Sequence, residues 1–227
     1  MVDAFLKEVP VMGFFFYLFM IMKKLITLLF MLPLMVFGQA NKIDTTIYMS
    51  NYTSYFSKTH KNPIILTYKL YKGGGDCSRA SFRFKNDLPI SCQTDAEYLK
   101  SGYDKGHLAN AEDFANNCMY DELTFRYYNC VPQTKELNRG IWKQQETIIR
   151  AMSQTDSLLV FCFNDFSSCN KPEKSLHIPT YCVKGVKSLT SGKWVSIMLY
   201  TNTSKPESKQ ITPDEFKSKF GIDINQY

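Results

Sequence analysis

Two stretches of the chain gather the residue types that chemistry uses. The first runs Ser101-Gly-Tyr-Asp-Lys-Gly-His-Leu-Ala-Asn-Ala-Glu-Asp-Phe114. The second runs Tyr128-Asn-Cys-Val-Pro-Gln133 and continues as Leu137-Asn-Arg-Gly-Ile-Trp-Lys-Gln-Gln-Glu146. His107 offers an imidazole whose ordinary pKa, near ~6.5, leaves it partly neutral at working pH and suited to accept a proton. Standing alone, such a histidine reads as a core or surface residue, and Asn138 standing alone reads as a helix N-cap. Asn138, Trp142 and Glu146 recur every four residues. On an α-helix such positions drift by about 40° per step and so share one face. The axial gap from Asn138 to Glu146 is about 12 Å, which only a chain of amide, ion, water and carboxylate could bridge.

The elements that must position these residues are legible in outline. Pro63 to Tyr71 is β-rich and ends in the turn Gly73-Gly74-Gly75. Residues 76–102 read as irregular, and a helix is expected over Lys135–Met152. Leu158–Phe163, Ile178–Lys187 and Trp194–Tyr200 read as strands. Thr212-Pro-Asp-Glu-Phe216 has the form of a helix start, with Thr212 as N-cap, Pro213 at the first position and Glu215 closing a capping box. The fold class is α+β, an antiparallel sheet carrying a few helices.

The two segments together resemble the DNA/RNA non-specific endonuclease family of the ββα-metal superfamily. The family pattern is D-R-G-H-x-A-P-A, then N-x-x-P-Q, then N-x-x-x-W-x-x-x-E. The chain has Asp104-Lys-Gly-His-Leu-Ala-Asn-Ala111, Asn129-Cys-Val-Pro-Gln133, and Asn138, Trp142 and Glu146 in that order. The resemblance covers about residues 63–220 and places the active site on a ββα-metal finger. It implies a Mg²⁺-dependent endonuclease that hydrolyses phosphodiester bonds of DNA and RNA and leaves 5′-phosphate ends. Mn²⁺ or another divalent cation is an expected substitute.

Under that resemblance His107 is the general base, and Asn138 is the protein ligand to the metal. A hard, strongly hydrated ion such as Mg²⁺ tolerates few protein ligands. Glu146 is implied as an outer-shell group, Trp142 as support for the helix, and Asp104 as a residue that orients the hairpin. Arg150 corresponds to a phosphate-binding arginine in some relatives. Asn129 is open to either a catalytic or a structural duty. Lys105 stands where the family has Arg, so a point charge replaces a bidentate fork. A catalytically weak or inactive nucleic-acid-binding module on the same fold is the alternative this departure raises. Asn110 replaces the usual Pro, and either Arg79 or Arg83 fits an upstream phosphate-contacting arginine.

Composition agrees with a nucleic-acid partner without demanding it. The 227-residue chain has a formal charge of +6, and removing residues 1–40 leaves 24 basic and 19 acidic residues, a net of +5. From Met22 the sequence MKKLITLLFMLPLMVFGQA has the basic, apolar and small-residue regions of a secretory signal peptide. The expected organisation is a signal region at 1–40 with its true start at Met22, a lead-in at 41–62 and a nuclease domain at 63–227. A secreted or periplasmic product follows, with no stable membrane association after cleavage. An uncleaved anchor is the competing reading, but Lys23 and Lys24 interrupt the apolar run. Seven cysteines follow the signal, and in an oxidising compartment two or three disulfides are expected. No C-x-x-C pair is present, which argues against a zinc centre.

Overall fold

Burial on both faces marks β3 (Asn62–Leu70) as the centre of the molecule. Its first five residues are all buried, and Ile64, Ile65 and Leu66 are wholly so. The structure, a computed structural model, describes residues 41–168 and 176–227. The signal region, the start at Met22 and Cys169 lie outside the described residues.

Around β3 a seven-stranded antiparallel sheet forms in the order β1 (Thr45–Tyr48), β2 (Thr53–Ser57), β3, β6 (Leu158–Asp165), β7 (Tyr181–Ser188), β8 (Trp194–Thr201) and β9 (Ser208–Gln210). The stretch read as a lead-in, 41–62, therefore supplies two strands of the sheet itself. The strand expected from Ile178 begins at Tyr181. Between β3 and β6 the chain makes a long excursion containing a separate ribbon, β4 (Tyr103–His107) against β5 (Cys130–Thr134). Two short helices flank the ribbon, α1 (Asp95–Tyr98) and α2 (Cys118–Leu123).

The helix expected over Lys135–Met152 is not continuous. Leu137–Trp142 is a wide π-type turn in which Gly140 leaves helical geometry (φ −101, ψ −114). A regular helix, α3, runs only from Lys143 to Met152. The even four-residue drift assumed from Asn138 to Glu146 therefore fails between Asn138 and Trp142. At the C-terminus α4 (Pro213–Phe220) starts as read, with both capping-box bonds between Thr212 and Glu215.

The two-residue alternation of the strands divides the core. Phe161 and Phe163 of β6 face α4, each meeting the Phe216 ring edge-on at 5.8 and 5.2 Å. The opposite face carries Tyr68, Cys162, Lys184 and Tyr200 toward the excursion. There Tyr68 donates to Asp113 at 2.8 Å, Cys162 approaches the Leu108 carbonyl, and Tyr200 packs edge-on against Trp142. The sheet is thus the platform on which ribbon and helix are seated.

Candidate active site

His107 ends β4, and its backbone is fixed from two sides. Pairing sets it opposite Cys130, and the Trp142 indole Nε1 donates to its carbonyl at 3.2 Å. One residue earlier, a Cβ on Gly106 would lie 2.2 Å from Gln133 Oε1, so glycine here leaves room for the buried Gln133 side chain. Asn129 clamps the chain leaving His107. It accepts from the Ala109 N–H at 2.8 Å and donates to the Ala109 and Thr124 carbonyls at 2.9 and 2.7 Å. Both amide hydrogens of this fully buried side chain are spent on backbone. These three bonds give Asn129 a structural duty.

The His107 imidazole lies between the Phe84 and Phe125 rings, 4.8 Å from each centroid. The residue is only partly covered, yet Nε2 is buried and has no hydrogen-bond partner among the described residues. Burial, followed by the positive charges of Arg79, Lys184 and Lys105, lowers its pKa to about 3. The ring is therefore neutral at physiological pH, the state a proton acceptor requires. Burial normally pairs polar atoms, and an orphaned ring nitrogen calls for an explanation.

The cations around it are held in different ways. Lys105 shares the face of β4 with His107. Its ammonium pairs with Asp95 of α1 and lies over the Phe84 and Tyr127 rings at 4.9 and 5.9 Å. Arg79 donates through Nε to the buried Asp121 at 2.9 Å and pairs with Glu112. Arg83 is exposed and donates to the Ala80 and Phe82 carbonyls. Of the two upstream arginines, Arg79 is the one whose charge acts on His107. A disulfide, Cys77–Cys118, ties the loop carrying Arg79 to the helix carrying Asp121. It is the single disulfide among the described residues, where two or three were expected. Cys92, Cys130, Cys162 and Cys182 are buried as free thiols, acting as small apolar side chains within the core.

Asn138 is reached through Asp104, three residues before His107. Asn138 Nδ2 donates to Asp104 Oδ2 at 3.0 Å, while Arg139 makes a two-pronged pair with the same carboxylate at 2.7 and 2.8 Å. Burial pushes Asp104 up, but Arg139 and Asn138 together hold it below its ordinary range. With the nitrogen end of the amide committed, Oδ1 is the end left to face a cation. No group of three or more His, Cys, Asp or Glu side chains that could hold a metal occurs among the described residues. One neutral amide oxygen fits a hydrated hard cation such as Mg²⁺ and does not fit zinc.

Glu146 and Arg150 are occupied elsewhere. Glu146 is buried, with Oε1 3.3 Å from Nζ of Lys184. That lysine, wholly buried on β7, also donates to the Leu108 carbonyl at 3.2 Å and sits 4.3 Å over the Trp142 ring. Burial opposes its charge, but the acidic groups facing it outweigh that and hold its pKa above the ordinary lysine value. Glu146 thus ties α3 to the sheet through Oε1. Arg150 Nη1 donates to Asp113 at 2.9 Å, leaving its other N–H groups partly open. Sequence reasoning missed Phe84, Phe125 and Asp95, which lie in or beside irregular segments without a periodic signal. Lys184 carried one, as a lone cation in the apolar run Cys182–Val186.

Comparisons with known proteins bear on the family and the fold. The family model described as DNA/RNA non-specific endonuclease matches residues 33–222. The mitochondrial nuclease EXOG of Danio rerio is 28% identical over 123 residues, covering 52% of this chain and 36% of that protein. Mitochondrial endonuclease G of Homo sapiens is 31% identical over 92 residues, covering 40% and 31%. A nuclease of Nostoc is 32% identical over 96 residues, covering 41% and 35%. These matches span about a third of each relative's length. In fold the chain is similar to the solved EndoG/EndoGI complex, with a TM-score of 0.69 at 20% identity over 85% of this chain and 92% of that one.

Proposed function

This chain belongs to the DNA/RNA non-specific endonuclease family, and on that premise we propose that it is a secreted or periplasmic endonuclease that hydrolyses DNA and RNA with Mg²⁺, leaving 5′-phosphate ends. One observation supports the reading most: a neutral imidazole whose buried Nε2 has no partner among the described residues and which feels the charges of Arg79, Lys184 and Lys105. The ring is in the unprotonated form a general base needs, and the negative charge of a bound phosphate would offset the three cations that depress its basicity. His107 acts as the base. Asn138 holds Mg²⁺, or Mn²⁺, through Oδ1, with Asp104 fixing the amide. When bound, that ion supplies positive charge to the scissile phosphate and the departing 3′-oxygen. Arg79, Lys105 and the open N–H groups of Arg150 bind phosphate oxygens, which carry no direct sequence information, so base preference is weak. Asn129 and Glu146 act as positioning residues, the first on His107 and the second through Lys184. Secretion is supported by the signal layout from Met22 and by the Cys77–Cys118 bond.

The decisive experiment incubates purified protein with plasmid and RNA, with Mg²⁺ or EDTA, beside His107→Ala and Asn138→Ala. The wild type is expected to degrade both polymers only with Mg²⁺, and both variants to lose most of that activity. Equal activity in His107→Ala sinks the mechanism. Binding without turnover by the wild type favours the alternative of a binding module, which the Lys105–Asp95 pairing makes specific, since a phosphate must compete with Asp95 for that ammonium.

A further inference from the structure

A cavity of about 430 Å³ is bordered by Lys69, Tyr71, Asp113, Asn116 and Tyr120. Tyr71 is 56% exposed, far more than an aromatic ring needs for packing. Lys72 lies over its ring at 5.3 Å. The backbone of Lys72 is left-handed (φ 49), a conformation that costs a non-glycine residue about 1 kcal/mol or more and is kept where the surroundings impose it. They do so here. Lys72 N–H donates to the Ser153 carbonyl at 2.7 Å, Gly73 N–H to Ser153 Oγ at 3.0 Å, and Gln154 to the Gly73 carbonyl at 2.8 Å. The presented Tyr71–Lys72 pair is thus fastened to the end of α3.

The cavity is linked to Arg150 of the proposed site through one wall residue. Its wall includes Asp113, whose carboxylate is satisfied by Arg150 on one side and Tyr68 on the other. The glycine turn makes this contact: a Cβ on Gly75 would meet the Ala115 backbone at 2.2 Å, and one on Gly74 would lie 3.7 Å from the Arg150 side chain. Lys69 and Lys72 form no ion pair among the described residues, so their charge is available. A polar cleft with an exposed ring, cations outside any ion pair among the described residues, and an arginine behind its Asp113 wall suits a π-surface attached to phosphates.

We propose that this cleft is a stacking subsite for an unpaired base of the nucleic-acid strand flanking the cleaved bond, with Tyr71 as the platform and Lys69 and Lys72 contacting its phosphates. The inference rests on the nuclease reading above. Only an unpaired base exposes its face, so the subsite favours single-stranded over fully paired substrate.

The test measures fluorescence anisotropy of a labelled thymidine strand of about fifteen nucleotides in EDTA, for the wild type, Tyr71→Ala, Tyr71→Phe and Lys72→Ala. Degradation of the same strand with Mg²⁺ is followed in parallel. Tyr71→Ala should raise Kd by about tenfold and Tyr71→Phe by less than about twofold, since the ring carries the stacking. Lys72→Ala should reduce the slope of log K against log salt by about 0.7. Wild-type affinity in Tyr71→Ala, or equal loss in Ala and Phe, overturns the subsite, and continued cleavage by the wild type then leaves the nuclease reading standing. A wild type that binds with the expected Tyr71 effect but never cleaves supports the subsite and refutes the nuclease reading. Failure of the wild type to bind the strand refutes the subsite, and degradation of plasmid and RNA with Mg²⁺ then decides the nuclease reading.

Discussion

Acidification tests the site's central claim, that His107 is neutral by construction. In the unfolded chain its imidazole titrates near ~6.5, and in the folded chain near about 3. Because the folded value is depressed, the native state refuses a proton that the unfolded state accepts. Stability is therefore lost as pH falls below ~6.5, by about 1.4 kcal/mol per unit, until the folded pKa is reached. Between pH 8 and pH 5 the loss comes to about 2 kcal/mol. Other groups titrate over the same range, so the comparison is with His107→Asn, in which their contributions cancel. Urea unfolding of both proteins at the two pH values should show the wild type losing about 2 kcal/mol more than the variant. The same depression predicts a kcat/KM profile without an acid limb near pH 6.5, still flat at about pH 5. Equal pH dependence of stability in the two proteins, together with an acid limb at ~6.5, would refute the idea that burial and the three cations set the protonation of His107.

Three further outcomes follow from the surrounding contacts. Lys184→Met leaves Glu146 buried beside no cation and should cost about 3–5 kcal/mol in urea unfolding, while Lys184→Met/Glu146→Gln should recover a large part of it; an additive double variant contradicts the pairing. Asp104→Ala frees the Asn138 amide, and the Mg²⁺ concentration for half-maximal cleavage should rise about 10- to 100-fold with little change in the plateau rate; an unchanged Mg²⁺ titration argues against Asn138 as the ligand. Replacing Cys77 and Cys118 by Ser releases a loop closed across 41 residues, worth up to about 4 kcal/mol by chain entropy, which thermal or urea unfolding reads directly.

Much of the site was legible before any coordinates. The order Asp104, His107, Asn129, Asn138, Trp142, Glu146 carried the family resemblance, and the Thr212–Glu215 capping box marked the start of α4 to the residue. Both are local statements. A motif is a run of types, and a cap depends on residues three positions apart. What went astray was the conformation of a stretch whose pattern is ambiguous. Gln, Lys and Glu between 135 and 152 suit a helix, yet the chain leaves helical geometry at Gly140, a poor helix former two residues before the wholly buried Trp142.

The roles of individual residues divide along the same line. By itself the sequence determined that His107 and Asn138 belong to one chemical series, that Lys105 departs from it, and that the elements are strands with a few helices. Only the tertiary structure decided that Glu146 is spent on Lys184, that Asn129 is spent on backbone, that Arg79 and not Arg83 charges the site, and that Cys77 joins Cys118. Each of those choices pairs groups brought together across the excursion between β3 and β6 or across the sheet itself. Separation along the chain carries no signal of such partners. They are selected when closing the core makes an unpaired charge or amide too costly to bury.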